Sequence, residues 1–122
     1  MFLIAALNDL EISACNISNS YLHAPCREKI WFKAGPECGE DAGKVCKVVR
    51  ALYGLKSSGA TWRAMFSHFI QNKLGFKSSQ ADPDVYLVRN HHPTCNEDYY
   101  EYLLCYVDNV FIISHATEYN MK

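Results

Sequence analysis

The strongest pattern of apolar and polar positions lies in residues 58–73 and predicts an amphipathic helix. Apolar side chains recur there at the i, i+3, i+4, i+7, i+8 spacing of one helix face: Trp62, Met65, Phe66, Phe69 and Ile70. Ser58 is a suitable N-cap, and Gly75 is placed to end the helix just beyond its last turn. We interpret the stripe as core packing and not as a ligand-binding feature.

Shorter apolar runs predict strands on both sides of this helix. The predicted strands are residues 11–17, 29–33, 45–50, 84–89, 100–107 and 110–114. The last two runs are separated by Asp108-Asn109, and both residue types tolerate the positive φ that a two-residue hairpin turn requires.

The remaining segments predict a short helix over residues 2–8, a helical turn over 18–23 that Pro25 stops, and loops over 34–43 and 91–98. The predicted order is helix, strand, short helix, hairpin, long helix, strand, hairpin. This order is typical of an α+β fold with helices on one face of an antiparallel sheet.

Composition favours one domain with a core of its own, because the chain has 122 residues and 49% of them are hydrophobic. The formal net charge of −1 shows no basic surplus of the kind that nucleic-acid-binding proteins usually have. Seven basic residues could line one surface or be ordinary solvated side chains, and the sequence leaves both open: Lys29, Lys33, Lys44, Lys47, Arg50, Lys56 and Arg63.

The six cysteines form no C-x-x-C pair, several lie in apolar runs, and no secretory signal precedes them. We therefore expect reduced, mostly buried thiols in an intracellular protein, cytoplasmic or nuclear. The apolar start, residues 1–7, is too short for a membrane span. His91-His92-x-x-Cys95 lacks the four ligands of a structural zinc site, so we interpret it as a polar loop.

Two segments before and within the long helix resemble copia-type (LTR retrotransposon) reverse transcriptases. Residues 15–23 resemble the first palm motif of that family, with Asn16 where the family has Asp and Tyr21 on its aromatic position. Residues 51–62 resemble the family segment Leu-Tyr-Gly-Leu-Lys-x-Ser-Pro-x-x-Trp, with Gly59 in place of Pro.

Two further segments carry the same resemblance towards the end of the chain. One is Leu74-Gly75-Phe76-Lys77 with Ala81-Asp82-Pro83, and the other is Tyr106-Val107-Asp108-Asn109, which is similar to the family's Tyr-Val-Asp-Asp hairpin. The four segments occur in family order and cover nearly the whole chain, so together they are far more specific than any one of them.

The resemblance implies a ferredoxin-like polymerase palm that adds deoxynucleotides to a primer 3′ end on an RNA or DNA template with two Mg²⁺ ions. Mg²⁺ prefers anionic oxygen ligands, and two such ions activate the 3′ oxygen and stabilise the leaving pyrophosphate. The strand that ends at Asn16 and the hairpin at Asp108 and Asn109 would bring the ligands together.

Of the three family carboxylate positions, Asp108 alone keeps its acid, since Asn16 and Asn109 are amides. An amide oxygen can bind a metal but does not offset its charge. The sequence therefore predicts Asp108 as the metal ligand, impaired Mg²⁺ binding, and a chain that does not polymerise. Removing two acids would also relieve like-charge repulsion.

The resemblance also assigns nucleotide-binding roles to three residues. Tyr21 matches the residue that packs under the sugar and rejects a 2′-OH, and as an alternative it is simply a packing residue. Gly54 and Lys56 match a segment near the incoming nucleotide and template, although Gly54 could serve only an unusual backbone angle.

We expect residues 1–122 to form a single palm domain with most of the fingers absent and without thumb or RNase H. Two alternatives stay open: a functioning palm that works with parts outside this chain, and a repurposed non-enzymatic module that binds protein or nucleic acid. We also expect self-association through palm surface that fingers and thumb would otherwise cover.

Overall fold

The computed structural model describes residues 1–92 and 97–115, in which the predicted helices and strands occur in the predicted order. The helices are α1 (Phe2–Leu7), α2 (Ser20–His23) and α3 (Ser58–Lys73). The strands are β1 (Glu11–Asn16), β2 (Trp31–Lys33), β3 (Val45–Lys47), β4 (Lys77–Ser78), β5 (Val85–His91), β6 (Asp98–Tyr106) and β7 (Asn109–Ser114). A 3₁₀ segment, Pro36–Asp41, lies between β2 and β3 and is broken at Gly39, which has a φ of 56°.

Five of the strands form one antiparallel sheet in the order β1-β7-β6-β5-β4. β1 pairs with β7 over six residue pairs from Glu11–Ser114 to Asn16–Asn109. β2 and β3 form a separate two-stranded sheet. The predicted α+β class with an antiparallel sheet is confirmed.

The chain divides into two compact units, and the division falls inside α3. Unit 1 comprises Met1–Ser18 and Ser67–Lys122, and unit 2 comprises Asn19–Phe66. The five-stranded sheet belongs to unit 1 and the β2–β3 sheet to unit 2. Among the described residues, no helix combines the length and apolar character needed to cross a membrane.

The central strands β6 and β7 carry most of the buried side chains of unit 1. Leu103, Val110 and Ile112 are buried on one face of the sheet. On the other face, the first residues of the chain cover a small apolar cavity of about 50 Å³. Its lining is Met1, Phe2, Ile12, Leu104, Phe111 and Ile113.

One carboxyl group is buried in the sheet. Glu101 on β6 is only 5% exposed, and its Oε1 accepts hydrogen bonds from the Ser114 hydroxyl at 2.5 Å and from the Tyr99 hydroxyl at 2.8 Å. Burial and the bond to Glu101 raise the pKa of Tyr99, with burial the larger cause. The position of Glu101 within a strand gives no sign of this role, because a carboxylate in a strand is normally exposed.

The long helix has the predicted bounds. Gly75, just beyond its end, has a φ of 77°, the left-handed conformation common after a helix, and the Phe76 N–H donates to the Ile70 carbonyl at 3.3 Å. The apolar stripe is only partly core: Trp62 and Ile70 are buried, whereas Phe69 is 48% exposed. The prediction of core packing is therefore wrong for Phe69.

Three other expectations need correction. The predicted loop over 34–43 contains the 3₁₀ segment, and the short strand β4 was not predicted because two residues carry no periodic pattern. The cysteine prediction is wrong on burial: of the five cysteines among the described residues, Cys15 and Cys38 are exposed, and the other three are intermediate. All five are free thiols.

The structure does not fully test two further expectations, the polar loop over 91–98 and self-association. Residues 93–96 of the predicted loop, including Cys95, lie outside the described residues. The loop prediction is wrong at its two ends, because His91 ends β5 and Asp98 begins β6. Self-association stays a prediction. On α1, however, three large apolar side chains are strongly exposed: Phe2, Leu3 and Leu7.

Candidate active site

The end of β1 and the β6–β7 hairpin meet through the register of the sheet. Asn16 is paired with Asn109 on β7, and Asn109 is paired in turn with Tyr106 on β6. Side chains in one such row lie on the same face of the sheet. The structure therefore brings the family's carboxylate positions 16 and 109 side by side, as the sequence predicts.

The hairpin turn itself differs from the prediction by one residue. Its two central residues are Val107 and Asp108, and Asn109 is already the first residue of β7. Val107 has a φ of 57°, an unusual conformation for a β-branched residue. The Asp108 carbonyl accepts a hydrogen bond from the Ile17 N–H at 2.7 Å, which fixes the turn against the end of β1.

The three candidate side chains form one hydrogen-bonded chain. The Asn16 Nδ2 donates to Asn109 Oδ1 at 3.2 Å, and the Asn109 Nδ2 donates to Asp108 Oδ1 at 3.3 Å. Asn16 and Asn109 are exposed, and Asp108 is half-buried. Each amide nitrogen therefore donates to its neighbour, and the cluster carries a single negative charge, that of Asp108.

This donor set does not fit a pair of Mg²⁺ ions. One carboxylate supplies a single negative charge, and one oxygen each of Asp108 and Asn109 already accepts a hydrogen bond from a neighbouring amide. Within residues 1–92 and 97–115, no group of three or more His, Cys, Asp or Glu side chains is placed to hold a metal ion. The metal-ligand role of Asp108 stays a prediction.

The nucleotide-binding candidates lie in unit 2. The rings of Tyr21 and Tyr53 are 4.6 Å apart with an interplanar angle of 31°. A Cβ at Gly59 would lie 3.5 Å from the Tyr21 hydroxyl, which is ordinary contact distance. Tyr21 is thus a packed, half-buried side chain, in agreement with the packing alternative, and its sugar-binding role stays a prediction.

Gly54 occupies a backbone position that suits glycine. Its φ is 91°, in the region that L side chains rarely adopt, and no atom lies within 4 Å of where its Cβ would be. Glycine is therefore favoured at position 54 by its backbone conformation and not by a lack of space for a side chain. Lys56, two residues further on, is exposed.

The residue that sequence reasoning missed in this segment is Glu28. Its Oε1 accepts hydrogen bonds from the Ser57 N–H at 2.9 Å and from the Ser57 hydroxyl at 2.5 Å. These bonds, with a smaller contribution from the Lys56 charge, lower the pKa of Glu28. The two partners are 29 positions apart, so no local signal in the sequence could have linked them.

Replacement of Ser57 by alanine should raise the pKa of Glu28 towards its ordinary value, because the hydroxyl bond is the largest cause of the shift. A lowered folded-state pKa gives stability that is present above the unfolded-state pKa and is lost as the pH falls through the folded-state pKa. Carboxyl ¹³C NMR titration of the wild type and Ser57→Ala would measure the shift. Ser78→Ala is the matched control, since its hydroxyl donates to Pro83 instead. Equal Glu28 titration in the wild type and Ser57→Ala would contradict the prediction.

Comparison with known proteins places this chain in a family. The model of the family described as "Reverse transcriptase (RNA-dependent DNA polymerase)" matches residues 1–120. The chain therefore belongs to the reverse transcriptase family.

The curated relatives identify the copia-type branch. The chain is 34% identical over 113 residues to the retrovirus-related Pol polyprotein from transposon TNT 1-94 of Nicotiana tabacum. The matched stretch covers 90% of this chain and 8% of that protein. It is 30% identical over 74 residues to the transposon Ty1-BL Gag-Pol polyprotein of Saccharomyces cerevisiae. This second match covers 61% of this chain and 4% of that protein. The chain thus spans a small part of these relatives. No solved structure matches it significantly.

Proposed function

We propose that this chain forms the palm of a copia-type reverse transcriptase and that it does not add deoxynucleotides to a primer. The observation that carries the proposal is the hydrogen-bonded chain from Asn16 through Asn109 to Asp108. It lies where the family resemblance requires the catalytic carboxylates, and it contains one carboxylate.

Sheet topology supports the palm assignment. β1 is hydrogen-bonded to β7, and β7 is joined to β6 by the Val107–Asp108 turn. A ferredoxin-like palm with helices on one face needs this neighbourhood, because its metal ligands come from the end of one strand and from an adjacent hairpin. Primer–template and deoxynucleoside triphosphate are the partners that the proposal implies.

The expected loss of activity follows from charge. Two divalent ions bring four positive charges to the site, and the attraction of one carboxylate for them is far weaker than that of three. Asn16 and Asn109 contribute neutral oxygens only. The Asn109 Oδ1 already accepts a hydrogen bond from Asn16, so a cation at this oxygen would compete with that bond.

Primer extension is the direct test of this proposal. With an RNA template, a labelled DNA primer, and Mg²⁺ or Mn²⁺, we expect the full chain to give no extension above the background without protein. The reason is the missing carboxylates and not a failure to fold. Circular dichroism on the same sample should therefore show the mixed helix and strand content of the fold.

A reverse transcriptase that retains all three carboxylates, assayed in parallel, shows that the substrates are competent. Template-dependent extension by this chain, in proportion to protein and lost on addition of chelator, would overturn the proposal. That result would favour the alternative of a functioning palm whose single acid, Asp108, suffices.

A further inference from the structure

The two-stranded sheet of unit 2 has one face that is made only of basic and apolar side chains. The β2–β3 register pairs Trp31 with Lys47 and Lys33 with Val45, so these four side chains alternate onto the same face. The Val48 N–H donates to the Ile30 carbonyl at 3.0 Å and extends the ladder by one pair. Lys29 and Val49 directly follow this last pair, outside the two strands, and both are exposed.

We define this surface as the hairpin face: Lys29, Trp31, Lys33, Val45, Lys47 and Val49. All six residues are exposed. On the opposite face, Ala34 and Val48 are buried and Cys46 is half-buried, although Phe32 is 50% exposed. The hairpin face is therefore the more exposed side of the sheet. Its three lysines are matched by no acid at any of its positions.

Trp31 is the unusual member of the hairpin face. Its side chain is 59% exposed, although the residue type is normally well buried, and Val45 and Val49 beside it are 69% and 68% exposed. The Lys47 ammonium lies 5.8 Å from the centre of the indole ring, within cation–π distance. This contact orients the ring, while its exposure leaves area on which another flat group can stack.

We infer that the hairpin face binds single-stranded nucleic acid, with Trp31 stacking on a base and Lys33, Lys47 and Lys29 contacting phosphates. Single strands are held without sequence preference by aromatic side chains that stack on bases and by neighbouring cations that follow the backbone. Lys29 and Lys33 are about 13 Å apart along an extended strand, so the cations flank the indole on both sides. An anionic partner without flat groups would leave the exposed indole unused.

The inference is separate from the proposed loss of polymerisation, because no residue of the hairpin face belongs to the Asn16–Asn109–Asp108 chain. It also bears on whether the scattered basic residues line one surface, which the sequence leaves open. Of the seven scattered basic residues, three converge on one surface through the strand register. Lys44 alternates to the other side and is ion-paired with Asp41 at 2.6 Å.

The two tryptophans make a direct test available. Trp62 is 4% exposed and stacks on Phe66 with ring centres 5.0 Å apart, so an added ligand that changes tryptophan emission reports Trp31. Addition of oligo(dT) to the full chain should quench this emission, and anisotropy of a labelled oligo(dT) should give the affinity. Trp31→Ala should weaken binding at least about fivefold, since one stacked base is worth at least a factor of that size.

Salt dependence tests the lysines. Each phosphate contact adds about 0.7 to the slope of log affinity against log salt for a single strand, so Lys33→Ala with Lys47→Ala should lower the slope by about 1.4. The matched control removes the same number of charges elsewhere, with Lys44→Ala and Lys73→Ala, and should leave the slope unchanged. All four lysines are exposed, and circular dichroism checks that each variant keeps the wild-type fold.

Four results would overturn the inference. The first is that oligo(dT) does not bind, and the second is that the hairpin-face and control double variants lower the salt slope equally. The third is that polyglutamate quenches the emission as strongly as oligo(dT) does. The fourth is that anionic phosphatidylserine vesicles bind and oligo(dT) does not. The third would indicate a surface for any polyanion, and the fourth a membrane surface. Quenching by oligo(dT) that depends on Trp31, Lys33 and Lys47 would support it.

Discussion

Asn16→Asp combined with Asn109→Asp should make the protein less stable in metal-free buffer and should give it a Mg²⁺-dependent gain in stability that the natural chain lacks. The register places the two new carboxylates opposite each other and beside Asp108, and the hydrogen bonds that now join the three side chains are lost. Net charge changes from −1 to −3 because two neutral amides become acids. At exposed positions, the repulsion amounts to about 1–2 kcal/mol.

Mg²⁺ should reverse this loss, since an ion that binds only the folded state stabilises it by about 2.7 kcal/mol at a concentration a hundred times its dissociation constant. Urea unfolding of the wild type and of the double variant, each in chelator and in millimolar Mg²⁺, measures both effects. The same variant should also be assayed for primer extension. Restored extension would place the reaction at these three residues.

The control for this prediction is Gln71→Glu with Gln80→Glu, which adds the same charge at two other exposed positions of unit 1. We expect no gain in its stability with Mg²⁺ beyond that of the wild type. A double Asp variant whose free energy of unfolding is the same with and without Mg²⁺ would show that positions 16, 108 and 109 do not form a metal site in this chain.

The sequence predicts the order of the main elements better than the details of the turn between β6 and β7. Order and approximate bounds of the main elements follow from periodicity, and the meeting of Asn16 with the hairpin follows from antiparallel pairing of β1 with β7. The turn is misplaced by one residue because Asp108-Asn109 is the better turn pair by local chemistry. The observed turn instead uses Val107 at a φ of 57°, which the pairing of Asn109 with Tyr106 enforces.

Features that depend on long-range contacts cannot be predicted from the sequence. The Glu28–Ser57 bonds join residues whose neighbourhood only the folded unit 2 creates. The hairpin face is a different case, because its alternation is visible in the sequence once the register of Trp31 with Lys47 is known. Net charge concealed it: the lysines of this face are balanced by acids elsewhere in the chain, so the total of −1 gives no sign of a basic surface.

Burial is the least predictable property of this chain. Cys15 lies in an alternating strand and Phe69 in a helical apolar stripe, and both patterns are typical of buried positions, yet both residues are exposed. The same pattern on β6 carries Glu101 into a buried position where a carboxyl group is not expected. Periodicity thus indicates which residues share a face, but the packing partners decide whether that face is covered.

Replacement of the buried Glu101 by alanine should lower the free energy of unfolding by about 2–4 kcal/mol, the largest single-residue effect that we expect in this protein. The substitution removes the acceptor of the Ser114 and Tyr99 hydroxyl bonds and leaves a gap where the carboxyl group is now buried. Urea unfolding measures the loss. Glu97→Ala, which removes an exposed carboxylate, is the matched control and should change stability by less than about 0.5 kcal/mol.

Tyr99 gives the Glu101 prediction a second, independent readout. Because its folded-state pKa is raised, Tyr99 contributes stability that is present below its unfolded-state pKa of about 10 and is lost as the pH rises through the folded-state pKa. Glu101→Ala should shift the Tyr99 pKa part of the way back, because burial, the larger cause, persists. Glu101→Gln keeps a carbonyl acceptor for one hydroxyl and should lose about half as much stability as Glu101→Ala. The contradicting result would be an alanine variant that is as stable as the glutamine variant and has the same Tyr99 pKa. In that case the two hydroxyl bonds would not contribute to stability, and the burial of the carboxyl group would need another explanation.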